Sequence, residues 1–253
     1  MVEKPIDYYD DPTFDYHRFW ETRQYEDLSE KIALKRLFSL IKNKKTKTLI
    51  DVGAGFGRLV PVYAPLFKEC LLIEPSEKLL VEAKKVNKDY QNLGFKESYV
   101  EKLPVGDESF ETVLMVRVAH HLEDLNAMIK EVHRVLKPNG FFIMEYANKK
   151  HLKNLLTAFL KRDWQDFANH GPEKIKTRPA SFPFFNYHPN QINSLLWGYN
   201  FKILKRLSVS NFRSPTIKKI LPVKLLLFLE KMFSPITSYY RWGPSIFVLA
   251  QKK

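Results

Sequence analysis

The sequence holds one cysteine, Cys70, in 253 residues. A single thiol cannot form an internal disulfide, which fits a reducing compartment. No apolar run approaches the roughly 18 residues that a membrane-spanning helix needs. The opening residues, MVEKPIDYYDDPTFDY, are acidic and lack the apolar stretch of a secretory signal. These absences together lead us to expect a cytoplasmic protein. Internal repeats and low-complexity linkers are also missing, so the chain does not read as an array. Acidic residues are few beside basic ones, 28 against 41, for a net charge of +13. That excess favours an anionic partner: nucleic acid, a membrane surface or an acidic small molecule. The lysines are nonetheless scattered over separate patches at 42–47, 149–153, 174–178 and the terminal pair, as on the solvated faces of an ordinary domain.

Hydrophobic residues make up 45% of the chain, enough for a substantial core. The length suits one large α/β domain. TLIDV (48–52), CLLIEP (70–75), a weaker run near 95–100, FETVLMV (110–116) and GFFIMEY (140–146) read as strands. Helices are expected over 24–41, after the glycine turn through about Phe67, over 77–90 with Ser76 as cap, and over 124–136 with Asp124 as cap and KPNG as stop. Pro65 should kink or shorten the second of these. Strands alternating with helices imply a parallel sheet with right-handed crossovers. The second half is less regular. A helix is expected near 152–160, then an aromatic segment over 163–190 with Trp164, Phe167, Phe182, Phe184, Phe185 and Tyr187. A helix at 190–198, a strand at 201–207, a helical stretch at 216–233 broken near Pro222, and a strand at 245–251 complete the chain.

Glycine is scarce, nine residues in all, yet three fall at alternate positions in LIDVGAGFGRL (49–59). A dinucleotide-binding turn reads G-x-G-x-x-G. Gly53 and Gly55 match it, but the third required position is Arg58, and the next glycine is Gly57. The resulting D-x-G-x-G-x-G lets a backbone without side chains pass close to a ligand at the mouth of a helix. No Lys-Ser/Thr pair follows, as a triphosphate-binding loop would require. Glu74 stands 21 residues after Gly53, with Pro75 next to it, at the end of the second strand. A carboxylate there accepts hydrogen bonds from both hydroxyls of a ribose. Ribose recognition alone fits NAD and S-adenosylmethionine equally. Asp51 separates them, because it would repel a pyrophosphate and suits the cationic amino and sulfonium groups of S-adenosylmethionine.

These stretches resemble the class I S-adenosylmethionine-dependent methyltransferases, in particular their type 11 small-molecule branch. The resemblance covers residues 45–147 and rests on LIDVGAGFG, LLIEPS, VEKLPVGDESFETVLM and VRVAHHLEDLNAMIKEVHRVLKPNGFFIMEY. It implies an α/β fold of the Rossmann-like methyltransferase kind. The sheet would be doubly wound, mostly parallel and seven-stranded, with helical insertions after strand 5 and between strands 6 and 7. Its last strand would be antiparallel and lie beside the sixth. The whole chain, 1–253, would form a single methyltransferase domain. Within it, 1–45 would be a helical cap, 46–147 the cofactor-binding core and 148–190 a substrate-side insertion. Residues 191–253 would supply the C-terminal strands, with a helical insertion at 214–235. Carried over residue by residue, Gly53, Gly55 and Gly57 would line the methionine part of the cofactor, S-adenosylmethionine. Asp51 would support the turn or reach the amino group, and Glu74, with Pro75 beside it, would hold the ribose. Val100 and Glu101 would lie along the adenine, and Arg117 under the cofactor near the substrate. Tyr99 stands where the family often has an acid, so adenine recognition would fall to Glu101 or the backbone.

Methyl transfer is an in-line displacement that needs alignment and exclusion of water. A base is required only where the acceptor's proton must leave. His120 and His121 follow the fourth strand, and Glu145 and Tyr146 end the fifth, all at the carboxyl edge where such sheets bind ligands. The histidine pair reads either as a base or as packing against cofactor and helix. Adjacent histidines point apart and the spacing places no third ligand, so no metal is expected. Tyr16, Trp20, Arg23 and Tyr25 either close over the cofactor, with Arg23 near its carboxylate, or pack the first helix on the sheet. The basic, apolar segment 216–233 reads as a cap on the domain, a dimer face, or a helix in peripheral contact with an anionic membrane. The favoured function is methylation of an O, N or C atom of a small-molecule substrate, apolar or anionic. A tRNA or other nucleic-acid methyltransferase ranks second; the charge supports it, and the lack of an N-P-P-Y-like tetrapeptide after the fourth strand opposes it. A non-catalytic cofactor-binding or scaffold protein is the alternative of another class. Oligomeric state is open.

Overall fold

A computed structural model describes residues 16–162, 169–175 and 183–253. Trp164, Phe167 and Phe182 lie outside the described residues. Two helices, α1 (Tyr16–Glu21) and α2 (Gln24–Phe38), precede strand β1 (Thr48–Val52). Then come α3 (Val60–Tyr63), β2 (Glu69–Glu74), α4 (Glu77–Val86), β3 (Leu93–Glu97), β4 (Phe110–Met115), α5 (Asn126–Val135) and β5 (Leu136–Ala147). The second half adds α6 (Leu152–Lys161), β6 (Glu173–Ile175), β7 (Phe184–Asn186), α7 (Pro189–Gly198), β8 (Phe201–Val209), α8 (Pro215–Ile220), α9 (Val223–Tyr240) and β9 (Ser245–Lys252).

Seven strands form one sheet in the order β3-β2-β1-β4-β5-β9-β8. The first five are parallel, and β9 runs antiparallel to both β5 and β8. This is the doubly wound, mostly parallel arrangement that the resemblance implies, with the final strand inserted beside the sixth. Side chains alternate across the sheet. Ile50, Val52, Val113, Met115 and Met144 pack on one face with Met128, Ile129 and Val132 of α5. Leu49, Leu72, Leu114 and Ile143 pack on the other with Leu34, Leu37 and Phe38 of α2.

Several boundaries differ from the expectations, each for a local reason. The helix after the glycine turn is a single turn, Val60–Tyr63, rather than one reaching Phe67. Pro65 removes a backbone donor just beyond it. The helices expected over 24–41 and 77–90 end earlier, at Phe38 and Val86, and the third strand occupies Leu93–Glu97 rather than 95–100. Asp124 does accept the Asn126 amide at 2.8 Å, although the residue at the cap position is Leu125. KPNG is not a stop outside the strand but its first part, since β5 begins at Leu136. Asn139 is left-handed there, and a bulge separates the Phe110–Leu136 pairing from Thr112–Phe141. Gly140 permits it, because a Cβ would meet the Lys137 carbonyl at 2.8 Å.

The aromatic segment contains a hairpin that the sequence pattern does not announce, with Glu173 opposite Asn186. Tyr187 follows it and ties it to the end of β5: its amide reaches the Ala147 carbonyl at 2.8 Å. The break at Leu221–Pro222 falls as expected, but α9 continues to Tyr240, past the expected end at 233. A polar contact holds α9 against α2. The Tyr25 hydroxyl donates to Glu230 Oε2 at 2.6 Å and accepts from the Phe212 amide at 3.0 Å. Burial and the Glu230 carboxylate push that phenol upward, so it stays protonated and donating. Tyr25→Phe leaves both partners short of one hydrogen bond and should cost about 1–3 kcal/mol, read as a lower thermal midpoint.

Candidate active site

The order β2-β1-β4 makes the carboxyl end of β1 a switch point, where helices leave the sheet on opposite sides. The chain leaves β1 through three left-handed glycines, Gly53, Gly55 and Gly57, with φ of +74°, +56° and +76°. The amides of Gly53 and Ala54 both reach the Ile73 carbonyl of β2, at 2.8 and 3.0 Å. The next amide, Gly55, donates to Glu74 Oε2 at 2.8 Å, and the Ser76 amide donates to Oε1 at 3.1 Å. Glu74 is thereby fixed at the lip of the turn, buried, with both oxygens engaged by backbone donors.

A cavity of about 320 Å³ opens over this turn. Of the residues expected around the cofactor, Gly53, Gly55, Glu74, Pro75, Val100, Glu101 and Arg117 line it together, and so does His121. Its remaining wall includes Tyr16 from α1, Val118 and Leu122 beyond β4, and Pro183 from the hairpin segment. Gly57 does not line it. A Cβ there would strike Asn87 Nδ2 at 2.4 Å, so this glycine serves the packing of the turn on α4. Gly53 has the same need toward the cavity side, where a Cβ would fall 2.2 Å from Val118 Cγ2.

Asp51 opens instead into a small adjoining recess, with Tyr16, Gly53, Gly55, Arg58 and Arg117 among its walls. Burial pushes its carboxyl up to about 7, against the opposing pull of the Tyr63 hydroxyl and the Arg58 guanidinium. Arg58, the residue that breaks the dinucleotide pattern, binds Asp27 and Glu30 of α2 at 2.5 Å each. Its guanidinium also stacks 3.6 Å from the Trp20 ring. Arg117 reaches Glu30 at 3.2 Å and lies 5.1 Å from the same ring. Trp20 and Tyr25 are thus buried packing residues of the cap, while Tyr16 reaches the cavity. Arg23 lies over the Phe19 ring at 4.1 Å and is not a cavity residue.

Arg117 sits in the left-handed region at φ +64°, an uncommon state for a side chain of its size. Its amide donates to Glu145 Oε2 at 3.0 Å. Glu145 is buried, also accepts from the Ser245 hydroxyl, and is pushed upward by that burial. His120 and His121 form a short 3-10 turn after β4. His120 is buried, 4.0 Å from the His121 ring and 4.5 Å from Phe184, and burial drives its imidazole well below the usual range. His121 Nδ1 donates to the Pro183 carbonyl at 3.2 Å, which leaves Nε2 as the lone-pair nitrogen. Burial lowers this imidazole to about 4. Tyr146 is only 1% exposed and belongs to the core cluster, away from the cavity lining.

The profile of a family described as a methyltransferase domain matches residues 50–144. Residues 50–144 thus match a methyltransferase domain. S-adenosylmethionine, the cofactor that the resemblance implies, fits the residues on three counts. The glycine turn presents bare backbone to the cavity, and the charged lining residues are Glu74, Glu101 and Arg117, a balance hostile to a diphosphate. A buried carboxylate lies in the recess beside it. Curated relatives of the methyltransferase domain include "Uncharacterized methyltransferase YcgJ" of Bacillus subtilis, 31% identical over 98 residues, which are 38% of this chain and 39% of the relative. The "Ubiquinone/menaquinone biosynthesis C-methyltransferase UbiE" of Rickettsia bellii is 30% identical over 162 residues, 59% of this chain and 58% of that protein. The chain thus spans only 39% and 58% of these two relatives. An S-adenosylmethionine-dependent methyltransferase structure from Mesorhizobium loti superposes with a TM-score of 0.58 at 16% identity, covering 86% of this chain and 96% of that one, and shows the shared fold.

Sequence reasoning missed Val118, Leu122 and Pro183 as walls, and Arg58 with Glu30 as the link between turn and cap. An apolar residue beyond a strand end carries no signal of its own. Arg58 did carry one, as the side chain standing where a dinucleotide turn needs glycine. Gly53→Ala combines left-handed strain with the Val118 clash. It should lower stability by about 1–3 kcal/mol and weaken S-adenosylhomocysteine binding at least about tenfold by calorimetry. Gly106→Ala, at a site with no neighbour within 4 Å of the added Cβ, should change neither.

Proposed function

We propose that this protein transfers the methyl group of S-adenosylmethionine to an O, N or C atom of a small acceptor with an apolar body. The observation that carries this is the cavity itself, in which the bare glycine turn and Glu74 face a wall of Tyr16, Leu122 and Pro183. When bound, S-adenosylmethionine supplies an electrophilic methyl carbon on a sulfonium. Glu74 would accept the ribose hydroxyls while its two backbone donors keep the carboxylate from rotating. Val100 and Glu101 would flank the adenine, and Asp51 in its recess would receive the amino group. Arg117, held by Glu145 and Glu30, would set the floor between cofactor and acceptor. Tyr16 and the hairpin segment would exclude water from the acceptor side.

His121 is the chain's candidate for proton handling. Being lowered to about 4, it is neutral at ordinary pH, and Nε2 is its acceptor atom. It would orient an acceptor hydroxyl and take the proton as the new bond to the methyl carbon forms. His120, packed behind it on Phe184, would position the pair. The relative named as a ubiquinone/menaquinone biosynthesis C-methyltransferase makes aromatic acceptors with an apolar substituent the first class to assay.

The test is incubation with methyl-labelled cofactor and a panel of such acceptors, followed by mass spectrometry for products heavier by one methylene. Glu74→Ala should weaken S-adenosylhomocysteine binding by about 10- to 100-fold, the range for a lost charged hydrogen-bonding group. Unchanged affinity would overturn the ribose assignment, and no binding by the wild type would overturn the reading as a whole. The raised carboxyl of Asp51 gives a pH signature. Above 7 it is an anion ready for the cofactor's amino group; below 7 it is protonated and must lose its proton first. Affinity should therefore fall as pH drops through 7, approaching about tenfold per unit, and Asp51→Asn should flatten that slope.

A further inference from the structure

Helix α9 is turned inside out. Its buried positions are Leu226, Glu230 and Ser234, and the inner face is held by polar contacts. Glu230 takes Tyr25 and Asn211, Ser234 meets Arg36, and Thr237 and Ser238 bond to Ser208. The outer face is apolar. Leu225, Phe228, Met232, Ile236 and Tyr239 are 40%, 61%, 50%, 51% and 80% exposed. They follow steps of three, four, four and three, so they make one continuous stripe along the helix. A soluble surface helix has the opposite arrangement, and a contiguous apolar stripe of this kind marks a binding face.

The charges around the stripe point to its occupant. Lys219, Lys224 and Lys231 are exposed on the same segment. Between residues 214 and 241 the single acid is Glu230, and it is buried. The far end of α9 carries Tyr239, Tyr240 and Trp242, with the last two rings stacked 4.5 Å apart. Such amphipathic rings settle at the boundary between hydrocarbon and headgroups. The start of α6 joins this end, where the Leu152 amide meets the Trp242 carbonyl at 2.9 Å. That helix exposes Leu152, Leu156 and Leu160 beside Lys153 and Lys161, and no acid occurs between 149 and 162. A two-fold dimer through the stripe would bring identical lysine rims together with no exposed acid on the segment to receive them.

We propose that the outer face of α9 is a docking surface for an anionic lipid bilayer, with the apolar stripe entering the headgroup boundary and the lysines meeting the headgroups. The helix lies in the plane of the membrane surface, since among the described residues no helix is long and apolar enough to cross one. This use of the molecule does not depend on which acceptor is methylated.

The experiment is flotation of the full chain with vesicles of phosphatidylcholine, alone or mixed with phosphatidylglycerol. The expected result is binding to the mixed vesicles at low salt and release at about 1 M salt, where the screening length is about 3 Å. Binding to phosphatidylcholine alone should be at least about tenfold weaker. Lys224→Gln with Lys231→Gln should reduce partitioning about thirtyfold, at roughly fivefold per lysine. Phe228→Ser with Met232→Ser should reduce it at least about tenfold. None of the four residues lines the cofactor cavity, so S-adenosylhomocysteine binding should persist in both variants and report that they are folded. No flotation of the wild type at low salt overturns the proposal, as does flotation that both pairs of substitutions leave unchanged. A concentration-dependent dimer that Phe228→Ser with Met232→Ser abolishes, without vesicle binding, would assign the face to a second copy and overturn it equally.

Discussion

The carboxylate of Glu74, receiving the amides of Gly55 and Ser76, is the contact on which the arrangement of the cavity depends. An unpaired buried carboxylate would be costly, and here two backbone donors offset that cost. The same bonds do geometric work. Gly55 leads from β1 and Ser76 leads into α4, so one side chain ties two strand ends together and fixes the lip of the site. The turn can approach only because Gly53 and Gly55 lack side chains and adopt left-handed φ. Sequence, backbone conformation and carboxylate position are therefore one constraint.

A second layer of charge locks the cap onto this turn. Arg58 grips Asp27 and Glu30, Arg117 shares Glu30, and Trp20 takes a guanidinium on its ring. Partly buried, charge-assisted bonds of this kind are stronger than surface pairs and sensitive to geometry. They hold α1 where Tyr16 reaches the cavity. The strained φ of Arg117 belongs to the same network: its amide is spent on Glu145, and its side chain is spent on Glu30. Backbone strain of about 1–3 kcal/mol persists where surrounding contacts determine it, and such sites are typically functional.

Where the fold was legible in the sequence, strict periodicity or turn chemistry made it so. TLIDV has no alternative as a buried strand, and the order of strand and helix from 48 to 146 leaves few topologies. The glycine turn and the cavity lining beside it were legible because glycines and acids at fixed spacing have few other uses. Gly57 shows the limit, since a glycine required by Asn87 looks the same in sequence as one required by a ligand. Tyr146 and His120 show another. A strand end points alternate residues to opposite faces, and a β5 that extends to Ala147 buries Tyr146 in the core. The hairpin at 173–175 and 184–186 was illegible, because its pairing joins two three-residue runs too short to show a strand period. Pro183, as a wall of the cavity, went with it.

The charge excess reads differently once burial is known. Glu26, Glu30, Asp51, Glu74, Glu145 and Glu230 are buried, whereas Lys149 and Lys252 are the buried lysines among the described residues. Folding draws acids inward to hold the cap, the turn and α9, so the solvent-facing surface is more basic than the composition suggests. Glu230 makes the connection most directly. By giving α9 a polar anchor on its inner side, it lets Leu225, Phe228 and Met232 of a strongly apolar segment face outward. A hydropathy plot cannot make this distinction, because it sees an apolar helix and assigns the apolar side to the core. The orientation is set by one buried acid and the hydroxyl of Tyr25, 205 residues away in the chain.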